Sequence, residues 1–151
     1  MDAVLLDTDV FSYLMRPNDT RGDVYRSHVR GKAVAVSFVT VGELFYGAEK
    51  RKWSARNVSN LREKLKAVIV VPYDEELCRV YARVRASLPL GVVVAANDLW
   101  IAASAIRHSI PLITNNRKHF ERIPDLKLIS ESPSRTAPIS RPGNLFKPTE
   151  S

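Results

Sequence analysis

The chain has 151 residues, enough for one domain with a single core, and its 45% hydrophobic and 26% charged residues exclude wholesale disorder. Lysine and arginine number 23 against 16 acids, a net charge of +7 that favours a polyanionic partner without requiring one. The lone cysteine, Cys78, excludes an intramolecular disulfide and any multi-cysteine zinc or iron–sulfur centre, and fits a reducing, cytoplasmic setting. No apolar stretch reaches the ~18–20 residues of a membrane span. The N-terminus sets Asp2, Asp7 and Asp9 around a short apolar run and lacks the pattern of a signal peptide.

In chain order, Val4-Leu5-Leu6 reads as a strand, followed by helical patterns over Asp9–Met15 and Asp23–Arg30. A second strand, Ala33–Val36, leads to helices over Val41–Lys52 and Ala55–Lys66. Val68–Val71 is the third strand. Helix Glu75–Leu88 follows it, with Leu77, Val80, Tyr81, Val84 and Leu88 at the three-four spacing of one buried face. Helix Asp98–His108, rich in closely packing alanines, precedes the short strands Pro111–Ile113 and Leu126–Ile129. Such alternation, with strands apolar on both faces, predicts an α/β domain over residues 1–130: a mainly parallel sheet wrapped by helices. Residues 131–151 hold four of the nine prolines and no apolar periodicity, and read as a flexible Pro/Ser-rich tail whose Leu145-Phe146 pair could dock elsewhere.

Three acids stand near strand exits. Asp7 follows the first strand, Glu43 is placed in the first turn of the helix after the second, and Asp98 opens its helix. The strand exits of a parallel sheet share one edge, where ligand sites form at the switch in strand order. Each acid also admits a capping reading. Asp7 or Asp9 suits an N-cap, Thr40-Val41-Gly42-Glu43 matches a capping box, and Asn97-Asp98 suits a cap with a first-turn acid. Their neighbours, however, are apolar, among them Leu6, Phe11, Leu44 and Leu99. Carboxylates gathered in such surroundings repel unless one protonates or a cation sits among them. All-oxygen ligands select a hard cation, Mg²⁺ or Mn²⁺. His28, His108 and His119 lack paired zinc-ligand spacing. Such a cation on a basic protein suits phosphodiester hydrolysis.

Four blocks carry a resemblance: Val4-Leu5-Leu6-Asp7-Thr8-Asp9-Val10; Ser37 through Gly47; Asn97-Asp98-Leu99-Trp100-Ile101-Ala102-Ala103; and Leu112 through Phe120. In order and spacing they resemble PIN-domain ribonucleases, and more narrowly the VapC-type toxins of bacterial toxin–antitoxin pairs. The resemblance covers residues 1 to about 130. It implies a three-layer α/β/α fold, a Mg²⁺- or Mn²⁺-dependent endoribonuclease acting on structured RNA (transfer or ribosomal), a homodimer, and a small cognate antitoxin. Carried over, Asp7 and Asp98 would hold the metal, and Glu43 would ligate it directly or through a water. Thr8 and Thr114 would be supporting hydroxyls. The family's fourth acidic position falls at Asn116, an amide in place of a carboxylate, with Asp9 an additional candidate ligand.

Arg117, Lys118 and His119 follow the proposed metal edge and are placed for phosphate. The basic stretch from Lys50 to Lys66 reads by default as a solvated helical face, and Trp100 as packed. Two alternatives share features with this reading. A haloacid-dehalogenase-like phosphatase also opens on an apolar run and Asp-x-Asp, but lacks its later acidic pair here. A PIN module that only binds RNA or a partner would have Asn116 as its support.

Overall fold

The computed structural model describes residues 2–132. Five strands form one parallel sheet: β1 (Ala3–Leu6), β2 (Ala33–Ser37), β3 (Ile69–Val71), β4 (Leu112–Ile113) and β5 (Leu128–Ile129), in the spatial order β3-β2-β1-β4-β5. The chain builds outward from β1 through β2 to β3, then crosses back to place β4 on the other side of β1. The switch in strand order therefore lies between β1 and β4.

Helices cover both faces. They are α1 (Thr8–Met15), α2 (Arg26–Val29), α3 (Phe38–Lys50), α4 (Ala55–Lys66), α5 (Glu75–Ser87), α6 (Ala96–Arg107) and α7 (Arg117–Phe120), with a 3-10 turn over Thr20–Tyr25. The two-residue alternation of each strand sorts its side chains between the layers. Leu5, Ala35, Val71 and Leu112 face α5 and α6, while Val4, Leu6, Val36 and Ile113 face α1 and α4. Each large side chain buried in this way contributes ~1.5–3 kcal/mol over exposure. Ala102, Ala103 and Ala105 are wholly buried, so α6 lies close against the sheet. The three-layer α/β/α architecture is that expected from the sequence.

Four elements differ by two or more residues from the expected ones; one is α6, which begins at Ala96 with Ala95 at its N-cap, so Asn97-Asp98 lies inside the helix and not at its cap. The stretch 23–30 is a 3-10 turn running into one α-turn, because Asp19 caps it early by accepting from the Arg21 N–H. Helix α3 begins at Phe38, three residues before the expected Val41, because Ser37 ends β2 and caps the helix with a 3.1 Å bond from the Val39 N–H. Glu43 thus stands in the second turn, and Thr40, being helical itself, forms no capping box. Strand β5 is also shorter than the expected Leu126–Ile129. Of the expected tail, Glu131 and Ser132 are seen against the body, and residues 133–151, with Leu145-Phe146, lie outside the described residues. Among the described residues, no helix is long and apolar enough to cross a membrane.

Candidate active site

Asp7 stands one residue past β1, beside Thr114, one residue past β4. The Leu6–Ile113 register and a 2.9 Å bond from the Asp7 N–H to the Ile113 carbonyl fix the two ends together. Asp7 is buried. It is also the N-cap of α1: Oδ1 accepts from the Thr8 N–H at 2.8 Å, while Oδ2 accepts from the Thr114 hydroxyl at 2.7 Å. The capping reading and the site reading are therefore both true of this residue. Each carboxylate oxygen keeps a lone pair for a further partner.

The Thr8 hydroxyl donates to Glu43 Oε1 at 2.7 Å and lies 3.0 Å from the hydroxyl of buried Thr40. Thr8 of α1 thus holds the Glu43 carboxylate while its hydroxyl meets Thr40 of α3, and Glu43 reaches the site although it sits a turn deeper in α3 than expected. Asp98, in the first turn of α6, meets the same edge, with His119 Nδ1 3.3 Å from its Oδ2. Asp9 faces the β4 loop, where its Oδ2 accepts from the Asn115 N–H at 3.2 Å and the Asn116 amide at 2.9 Å. Asn116, at the fourth position, is an exposed donor to Asp9.

The electrostatics follow from burial and crowding. Burial pushes the Asp7 carboxyl above the ordinary range, against the hydrogen bonds from Thr114 and Thr8. Burial first, and then the Asp7 charge, raise Asp9 to about 7. Asp98 rises to about 6 through burial and the charges of Asp7 and Glu43, opposed by His119. The pocket therefore holds more negative charge than its protein partners neutralise. A hard divalent cation fits both that deficit and the all-oxygen donors. Among the described residues, no trio of His, Cys, Asp or Glu stands ready as an ion cage.

Of the three residues expected to meet phosphate, Lys118 and His119 are exposed. The Arg117 guanidinium donates to the carbonyls of Ser130 and Ser132. Trp100 is packed, stacked on Tyr81 with ring centres 3.8 Å apart. A groove of about 690 Å³ beside the acidic site is lined by Glu43, Phe38, Tyr46, Arg16, Lys50 and Arg51. Sequence reasoning passed over Tyr25 and Asn115. Tyr25 is wholly buried and its hydroxyl donates to Asn115 Oδ1, a contact across 90 positions that no local pattern signals.

The PIN-domain family model matches residues 4–126. Ribonuclease VapC2 of Haemophilus influenzae is 30% identical over 122 residues, covering 79% of this chain and 90% of that protein. The tRNA(fMet)-specific endonuclease VapC of Salmonella typhimurium is 30% identical over 127 residues, with 82% and 94% covered. Among solved structures, VapBC2 from Rickettsia felis, bound to a DNA fragment from its promoter, superposes with a TM-score of 0.75 at 28% identity. That match covers 85% of this chain and 98% of that one. The similarity favours the nuclease fold over the haloacid-dehalogenase-like alternative.

Proposed function

The chain belongs to the PIN-domain family, and from that footing we propose that it is a metal-dependent endoribonuclease cleaving structured RNA, the toxin of a toxin–antitoxin pair. The observation that carries this reading is the meeting of Asp7, Glu43 and Asp98, distant in sequence, at the sheet's switch point, with Asp7 and Asp98 driven toward protonation. The VapC names of its relatives support the ribonuclease and toxin roles.

Asp7 and Asp98 are the residues to hold Mg²⁺ or Mn²⁺, with Glu43 ligating directly or through a water. When bound, the ion would offset charge developing on the phosphodiester and make a water more acidic. The protein's own contribution is positional. Thr114 and the Thr8 N–H fix the Asp7 carboxylate. The Thr8 hydroxyl holds one Glu43 oxygen and leaves the other to orient the attacking water. Asn116 keeps Asp9 against the β4 loop. Lys118 and His119 are placed for a phosphate, and Arg16, Lys50 and Arg51 offer charge along the groove for the flanking strand.

Transfer and ribosomal RNA are the substrate classes of this reading. Its partners are a small antitoxin and a second copy of the chain, and its setting is the cytoplasm. The test is incubation of total bacterial RNA with purified protein in Mg²⁺, Mn²⁺ or EDTA. Discrete fragments that disappear in EDTA are expected, and intact RNA under every metal would refute the proposal.

A further inference from the structure

The segment that follows β5 is clasped at several points. The Arg117 guanidinium donates to the Ser130 carbonyl at 3.0 Å and the Ser132 carbonyl at 3.2 Å, and the Arg117 backbone N–H donates to the Ser132 hydroxyl at 3.0 Å. His28 Nε2 lies 2.7 Å from Glu131 Oε1. The Glu131 N–H donates to the Tyr25 hydroxyl at 3.2 Å. That hydroxyl in turn donates to Asn115 Oδ1, with the Thr114 carbonyl 3.3 Å away.

From Asn115 the connection runs straight into the acidic pocket. The Asn115 N–H donates to Asp9 Oδ2, and the Asn116 N–H donates to the Thr114 hydroxyl, which donates to Asp7. Phenylalanine would fill the same buried space as Tyr25, so packing alone does not call for the hydroxyl. It both accepts from one segment and donates to the other, as a phenol protonated at neutral pH can.

We propose that Tyr25 is a positioning residue of the acidic pocket: its hydroxyl ties Ser130–Ser132 to the Thr114–Asn116 loop, so that the start of the C-terminal segment sets how the loop presents its donors to Asp7 and Asp9. Tyr25 touches no reacting atom and acts through Asn115. Its effect on turnover rests on the nuclease reading, whereas the tie itself does not.

The test compares Tyr25→Phe with the wild type in the full-length protein, by amide hydrogen exchange and by RNA cleavage. Loss of one buried hydrogen bond is expected to speed exchange up to about tenfold across residues 114–117 and 130–132, leaving α5 and α6 unchanged. kcat is expected to fall about fivefold or more with KM unchanged, since the loss lies in pocket geometry and not in RNA affinity. Unchanged exchange at 114–117 would overturn the proposal, whether or not 130–132 loosens. So would a rise in KM at constant kcat. Should the wild type itself fail to cleave, the nuclease reading falls separately, and the exchange comparison still decides the tie.

Discussion

The Thr114 hydroxyl donates to Asp7 Oδ2 at 2.7 Å, joining residues 107 positions apart at the carboxyl edges of two adjacent strands. Asp7 is buried, so this bond offsets part of the cost of keeping a carboxylate away from water. Replacing Thr114 by valine keeps the shape and removes the donor. The variant should lose ~1–3 kcal/mol of stability and about tenfold or more in cleavage rate. Thr114→Ser should retain most of both. Thermal melting and single-turnover cleavage read the two effects; a fully active valine variant would show that the bond does not serve the site.

Asp98 should separate activity from stability. Its carboxyl is raised to about 6, by burial and by the charges of Asp7 and Glu43. In the absence of metal, its charge therefore opposes folding at neutral pH. Asp98→Asn is expected to abolish cleavage while leaving the Tm in EDTA equal to or above that of the wild type. A large drop in Tm would mean that the carboxylate supports the fold.

The three raised carboxyls give the stability a definite pH dependence. Asp7, Asp9 and Asp98 bind protons more tightly in the folded than in the unfolded chain. Their contribution is fully present below the ordinary aspartate value and is lost as pH rises through the raised values, near 6 for Asp98 and 7 for Asp9. Metal-free protein should thus melt at lower temperature as pH rises from about 4 to about 7, and Mg²⁺ or Mn²⁺ should raise Tm more at pH 8 than at pH 5. A Tm in EDTA that climbs through the same window would contradict this electrostatic account.

Asn116 donates to Asp9 at 2.9 Å. Asn116→Asp removes that donor and sets a second carboxylate beside a group already raised to about 7. Expected are a lower Tm in EDTA and tighter Mn²⁺ binding, measured by calorimetric titration. Unchanged Mn²⁺ affinity would remove residue 116 from the metal's surroundings.

Much of the fold was legible because its signals are local. Ala55–Lys66 is the helix expected from its pattern, and Leu77, Val80 and Val84 bury the face their spacing predicted. That the strand exits near Asp7, Glu43 and Asp98 share one sheet edge follows from strand–helix alternation. The start of helix α3 is hidden in the sequence because Phe38-Val39 continues the apolar character of β2, while the Ser37 cap that starts the helix is a single hydroxyl. The network around Tyr25 was not legible. Its partners are a backbone N–H that donates to it and an amide oxygen that accepts from it, each contributed from about a hundred residues away, and residue type does not encode such partners. Arg117 illustrates the same point. A cation beside an acidic sheet edge suggests phosphate, yet its guanidinium meets two backbone carbonyls.

The central claim is tested most directly by end-labelled transfer and ribosomal RNA incubated with wild-type protein and with Asp98→Asn, each in Mg²⁺, Mn²⁺ and EDTA. The account predicts cleavage at discrete sites by the wild type with metal only, and none by a folded Asp98→Asn protein. Equal cleavage by both proteins, or cleavage that persists in EDTA, would contradict it.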